Sequence, residues 1–240
     1  MRIETIGRLK CRIIDRLPVN AKPHVIVVLC HGYGASGSDL VPIADELFDE
    51  FRQLEDRIAF VFPEAPLTLD ESGLPGGRAW WAIDIFKLQL AVATGRFREM
   101  RTSQPAGLSE ARELLTETVT QICKQYGLQV SQLVLGGFSQ GAMLTTETTL
   151  HLDQNPAALV AMSGTLLNET VWRSLAPNHK GLRVLQSHGT HDPILPYEAA
   201  EDLQKLLIES GADVEFIRFA GEHQIPFQVL ERFGELLKGL

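Results

Sequence analysis

The chain has 240 residues, with 22 Lys plus Arg against 30 Asp plus Glu and a formal net charge of −8 at pH 7. Nucleic-acid binding is driven by clustered cations that neutralise phosphates, so this balance excludes nucleic acid as a general partner. At 45% hydrophobic and 22% charged residues, the chain can build a sizeable core and lacks the low hydrophobicity that marks disorder.

In chain order, residues 2–16 are mixed in polarity and read as an antiparallel hairpin at a sheet edge. Six apolar runs follow, at residues 25–30, 58–62, 132–135, 158–162, 182–186 and 214–219, each the pattern of a strand covered on both faces. Helical patterns alternate with them. Residues 40–54 lie behind Ser38 and Asp39 as N-cap candidates, and residues 108–126 start near Ser109 and stop at Gly127. Further helices follow Ser139, cover 197–210 before Gly211, and close the chain from Pro226, a residue suited to a first helical turn. This alternation predicts an α/β fold in one domain, residues 1–240, with a mostly parallel central sheet and helices on both faces. Residues 67–107 break the rhythm. They contain Gly73-Leu-Pro-Gly-Gly77, Trp80 and Trp81, and are too apolar for a solvated linker. A lid-like excursion is expected there, with Trp80, Trp81, Phe86 and Leu88 as candidate substrate contacts; packing of the same side chains onto the core is the competing reading.

No apolar run approaches the ~18–20 residues that a membrane-spanning helix needs. The first residues lack the apolar stretch of a secretory signal, and three cysteines, Cys11, Cys30 and Cys123, are too few and too scattered for a disulfide framework. A cytoplasmic protein with reduced thiols is expected, and the sequence leaves room for a homodimer.

Gly137-Phe138-Ser139-Gln140-Gly141 matches G-x-S-x-G between a predicted strand and a predicted helix. That context is the nucleophile elbow, a sharp turn whose glycines let the backbone crowd close enough to project the serine. A serine hydroxyl is a weak nucleophile without a base, and in this architecture the acid and then the histidine follow in chain order. Of seven histidines only His223 comes just after the last predicted strand, and Asp192 comes just after the strand before it. Asp213 precedes its strand and so belongs at the far edge of the sheet, while Glu222 adjoins His223 and would point away from it. Catalytic groups of α/β sheets collect at the carboxyl ends of strands. Backbone N–H groups must also face the developing oxyanion. Gln140 supplies one candidate, and the loop His31-Gly-Tyr-Gly-Ala-Ser-Gly37 supplies the other, at Tyr33; His31 is expected to be bonded within the loop.

Two other chemistries compete. Gly32-x-Gly34-x-x-Gly37 spells the dinucleotide fingerprint after a strand, with Glu64 placed as a ribose-binding acid, which would make the protein an oxidoreductase. His188-x-x-His191-Asp192 holds metal-ligating residue types, but Gly189 and Pro193 break any helical spacing. A non-catalytic binding protein on the same fold is a third reading.

Taken together, Leu29-Cys-His-Gly-Tyr-Gly-Ala-Ser-Gly37, Phe62-Pro-Glu-Ala-Pro66, Ala79-Trp-Trp81 with Asp84, Gly136-Gly-Phe-Ser-Gln-Gly141, His188-Gly-Thr-His-Asp-Pro193 and Gly221-Glu-His-Gln-Ile225 resemble the α/β-hydrolase superfamily. Within it they are similar to the phospholipase/carboxylesterase family, which includes acyl-protein thioesterases and bacterial carboxylesterases. The resemblance covers about residues 25–237. It implies the α/β-hydrolase fold, an ester or thioester substrate such as a lysophospholipid or acyl thioester, and no metal or other cofactor. It assigns Ser139 as nucleophile, Asp192 and His223 as its partners, and the Tyr33 and Gln140 amides as the oxyanion hole. The chain departs from the family pattern in having Ala142 after Gly141. It departs also at residues 85–101, which are longer than the family's usual acidic segment and carry Lys87, Arg96, Arg98 and Arg101 against Glu99. That excess of cations suggests steering of an anionic substrate.

Overall fold

Runs such as Val25–Cys30 and Ile58–Pro63 are buried at every position, as strands flanked by helices on both faces must be. The computed structural model describes residues 1–102 and 104–240. Its elements are β1 (Arg2–Ile6), β2 (Leu9–Asp15), β3 (Val25–Cys30), α1 (Val41–Glu50), β4 (Ile58–Pro63), β5 (Leu67–Thr68), β6 (Arg78–Ala79), α2 (Ile85–Ala93), α3 (Phe97–Arg101) and α4 (Leu108–Tyr126). They continue with β7 (Leu133–Phe138), α5 (Gln140–Leu150), β8 (Ala158–Met162), α6 (Glu169–Leu175), β9 (Arg183–Gly189), α7 (Tyr197–Glu209), β10 (Asp213–Phe219) and α8 (Phe227–Lys238).

Eight strands form one sheet in the order β1-β2-β4-β3-β7-β8-β9-β10. The expected edge hairpin is present: β1 pairs antiparallel with β2, and β2 antiparallel with β4. Every other pairing in this sheet is parallel. Alternate residues of β3 feed opposite faces. Val27 and Leu29 pack with Phe48 of α1 and Phe233 of α8, whereas Ile26 and Val28 pack with Leu115 and Ile122 of α4. Burying each such side chain contributes roughly 1.5–3 kcal/mol, so the two layers clamp the sheet from both sides. The registers Cys30↔Gly137, Phe138↔Met162, Met162↔Ser187 and Phe219↔Gly189 bring the carboxyl ends of the parallel strands to one edge.

Several local expectations change. Neither Ser38 nor Asp39 caps α1: Leu40 is the N-cap without a side-chain bond, and Ser38 instead shares a hydrogen bond with Ser36. The helix ends at Glu50, and Arg52–Leu54 is a separate 3-10 turn. Gly107, at φ 88°, rather than Ser109 opens α4, and the Ser109 hydroxyl accepts from Gln104. Pro226 is the extended N-cap of α8. The excursion 67–107, of which residue 103 lies outside the described residues, is structured by the antiparallel pair β5–β6 and by α2 and α3.

Candidate active site

The turn between β7 and α5 is shaped by crowding. A Cβ at Gly137 or at Gly141 would run into the Cys30 carbonyl at the end of β3, so both positions of the motif require glycine. Between them Ser139 sits at φ 55°, ψ −117°, a conformation that costs a non-glycine residue about 1–3 kcal/mol and persists only where its surroundings enforce it. The Ser139 N–H donates to the Met162 carbonyl at 2.9 Å, and the Ser139 carbonyl accepts from Met143 to start the helix. The serine is thus held proud of the sheet by backbone on both sides.

Asp192 and His223 meet across the loops after β9 and β10. The backbone brings them there, because the Thr190 N–H donates to the Phe219 carbonyl and the His191 N–H to the Gly221 carbonyl, while Gly189 leaves no room for a Cβ against residues 221 and 222. The His223 Nδ1–H donates to Asp192 Oδ2 at 2.6 Å. Asp192 Oδ1 accepts from the Ile194 and Leu195 N–H groups at 2.8 and 3.0 Å. His188 Nε2 lies 3.2 Å from Oδ2 on the same carboxylate. Burial opposes ionisation of Asp192, but the hydrogen bonds from His188, His223 and Leu195 outweigh it and hold the carboxyl well below the usual aspartate range. The His223 ring keeps 12% of its side chain exposed and rests against Phe138, centroid to centroid 4.7 Å, one residue before Ser139. Among the described residues no hydrogen bond joins Ser139 Oγ to His223; such contacts often tighten only around a substrate. Asp213 is paired with Arg183 at the opposite end of the sheet, as its place before a strand implied, and Glu222 is exposed.

The loop after β3 abuts the elbow. A Cβ at Gly32 would lie 3.4 Å from Ser139 Cβ, so the loop that carries Tyr33 packs directly on the elbow. His31 is locked within the loop: Nδ1–H donates to the Gly32 carbonyl and Nε2 accepts from the Ala65 N–H. Burial lowers its pKa, consistent with a neutral ring in that tautomer. The Gln140 side chain had no assigned part. It accepts from the Trp80 N–H and donates to the Trp81 carbonyl, both at 2.9 Å, tying the elbow to the excursion.

A cavity of about 800 Å³ opens between α2, α3 and α5, lined among others by Trp81, Leu88, Leu90, Phe97, Met143 and Leu195. Two of the four expected substrate contacts, Trp81 and Leu88, line it. Trp80 does not: it is 2% exposed and its indole N–H donates to the His31 carbonyl, a core role. Phe86 is 76% exposed on the outer side of α2. The cation excess of residues 85–101 is also reduced, because Arg101 is 5% exposed and pairs with Glu169 and Asp202.

The competing chemistries lose their residues. A Cβ at Gly37 would strike the Arg12 guanidinium and lie 2.7 Å from Glu64 Cβ, so this glycine makes room for an ion pair. Glu64 is held by Arg12 at 2.9 Å, Arg78 at 3.5 Å and Lys10 at 3.7 Å, and is not free to bind a ribose. His188 is buried against Asp192, and among the described residues no group of three or more His, Cys, Asp or Glu could hold a metal ion.

Comparison with known proteins points to one family and fold. Residues 17–239 match the family model described as Phospholipase/Carboxylesterase. Acyl-protein thioesterase 1 of Kluyveromyces lactis is 30% identical over 194 residues, covering 79% of this chain and 79% of the relative. Acyl-protein thioesterase 1 of Candida albicans is 28% identical over 207 residues, covering 82% and 83%. Among solved structures, esterase PE8 superposes with a TM-score of 0.79 at 28% identity, over 96% of this chain and 98% of that one. With an eight-stranded α/β-hydrolase sheet, a strained serine at its elbow and a matching model along nearly its whole length, the chain belongs to the phospholipase/carboxylesterase family.

Proposed function

We propose that the chain is a serine esterase that hydrolyses carboxylic esters or thioesters through an acyl-Ser139 intermediate. The observation that carries this reading is the 2.6 Å Asp192–His223 hydrogen bond beside a serine held at φ 55°. His223 Nε2 takes the hydroxyl proton as Ser139 Oγ attacks the carbonyl carbon, and the Tyr33 and Gln140 N–H groups receive the oxygen that becomes negative. The proton then passes from His223 to the departing alkoxide or thiolate, leaving the acyl group on Ser139. Water repeats the two steps and releases the acid. Asp192 stays ionised throughout, holding His223 in the tautomer whose Nε2 can accept a proton and stabilising the imidazolium. The acyl chain is assigned to the cavity beside α2, whose lining includes Trp81, Leu88 and Met143, the last one helical turn beyond Ser139. A thioester substrate is favoured by the relatives named acyl-protein thioesterase, with a lysophospholipid as the alternative ester. All 240 residues act as one catalytic domain in this reading, because its site draws on segments from Gly32 to His223 around one sheet. A reducing compartment, the cytoplasm, suits three unpaired cysteines, two of them buried, with the Cys11 thiol pushed up to about 12 by burial.

A fluorophosphonate probe should label Ser139, identified by mapping the modified peptide, and Ser139→Ala should cut turnover of p-nitrophenyl and S-acyl esters by about 10⁶-fold. Absence of labelling in the folded protein would instead make it a non-catalytic binding protein.

A further inference from the structure

His188 stands outside the three residues assigned to the reaction. It is the second-last residue of β9, its side chain is fully buried, and its Nε2 faces two acceptors: the Leu195 carbonyl at 3.0 Å and Asp192 Oδ2 at 3.2 Å. Its Nδ1 is buried and meets no hydrogen-bond partner among the described residues. A neutral imidazole carries one N–H, so the proton belongs on Nε2, where both acceptors lie. His223 donates to that same Oδ2, so two imidazoles converge on one carboxylate oxygen while Ile194 and Leu195 hold the other.

We propose that His188 is a positioning residue for catalysis, a second imidazole that fixes Asp192 Oδ2 in the direction of His223. The proposal rests on the acyl-Ser139 reading and adds a fourth member behind it. Asp192 lies on an irregular loop whose rotamer no helix or strand enforces. His188 does lie on a strand, in a register locked to β10 by Arg218↔His188 and Phe219↔Gly189. Its Nε2–H bonds the Leu195 carbonyl and lies 3.2 Å from Asp192 Oδ2, and so brings the rigidity of the sheet up against both the carboxylate and the loop that holds it. Groups that orient a metal ligand from behind typically contribute about 10–100-fold to activity, and the same scale is taken for a carboxylate that orients a catalytic histidine. A purely structural histidine would be replaceable by any side chain that fills its volume.

The test compares His188→Met, which fills the space without a donor, with His188→Gln, whose amide nitrogen reaches the Nε2 position. In His188→Met, kcat on a p-nitrophenyl ester should fall about 10–100-fold, KM should stay within about twofold, and the rate of fluorophosphonate labelling of Ser139 should fall in step with kcat. His188→Gln should recover most of both rates. His188→Met folding with unchanged kcat overturns the proposal, as does His188→Gln losing as much as His188→Met. Should His188→Met not fold, His188→Asn replaces it, because its shorter amide sits at the Nδ1 position, away from Asp192; equal rates in the Asn and Gln variants would again overturn the proposal. Failure of the underlying reading is distinct, since then the wild-type protein itself would not label.

Discussion

Asp192 accepts from His223 and two backbone amides and lies against His188, so each oxygen already faces donors. An asparagine there would present its own N–H₂ to one set of donors. His223 would turn or change tautomer, and its Nε2 could no longer accept the serine proton. Asp192→Asn is therefore expected to lower kcat by about 10⁴-fold while leaving the fold intact, a result that steady-state kinetics and circular dichroism read together. The same carboxylate makes a pH prediction. Its folded pKa is held below its ordinary value, so the stability it contributes is fully present above the unfolded pKa of about 3.9 and is lost as pH falls toward the folded value. The difference in Tm between wild type and Asp192→Asn should narrow from about pH 5 to about pH 3; a constant gap would contradict the assignment of its causes. The positions of Ser139, Asp192 and His223 at strand ends, and the meeting of the last two, were legible in the sequence because each follows a recognisable strand. His188 was not, because a histidine at the last inward position of a strand has no spacing signal of its own. With His191 and Asp192 it offered only a metal reading, which Gly189 and Pro193 disfavoured.

At the scale of elements, the inner strands were readable because their burial on both faces makes them continuous apolar runs, and α4 because its stripe ends at a left-handed Gly127; β10, expected to be covered on both faces, is instead a half-exposed edge strand, and the two-residue β5 and β6 are too short for any pattern. The helices α2, α3 and α6 were not. The sequence of α2, Ile-Phe-Lys-Leu-Gln-Leu-Ala-Val-Ala, is apolar nearly all round, so no 3.6-residue stripe stands out, and Asp84 caps it by accepting from the Lys87 N–H. Five-residue α3 is anchored from outside itself: Arg101 at its end pairs with Glu169 on α6 and Asp202 on α7. Such partners, more than 60 positions away, are invisible to local pattern. Arg101→Met should cost about 1–3 kcal/mol, less than an isolated buried pair because Glu169 keeps Arg173 and Asp202 is half exposed. It should also loosen the cover of the cavity, seen as faster amide hydrogen exchange across 85–101 and a raised KM for long-chain esters with little change for acetyl esters. Unchanged exchange would show that packing alone holds α3.

For the whole molecule, the antiparallel edge and the parallel remainder followed from the pattern of polarity, whereas the strand order did not, since crossovers such as β4 to β3 to β7 are set by packing between distant segments. Charge was the property most changed by folding. Counted along the chain, residues 85–101 form a cationic island in a protein of net charge −8. Folded, Arg101 is neutralised by two carboxylates, and the Lys87 and Arg96 that line the cavity share it with Asp84 and Glu99. Exposed charges are screened over about 8–10 Å at ordinary ionic strength, and a nearly balanced rim sums to little field beyond that distance. Discrimination among substrates then falls to the apolar wall of the cavity. Neutral and anionic esters of equal acyl length should show the same dependence of kcat/KM on salt, and Leu88→Trp, which fills the cavity from α2, should shift preference to shorter chains without altering that dependence. A kcat/KM that falls steeply with salt for the anionic ester alone would restore Lys87, Arg96 and Arg98 as steering groups, despite the carboxylates beside them.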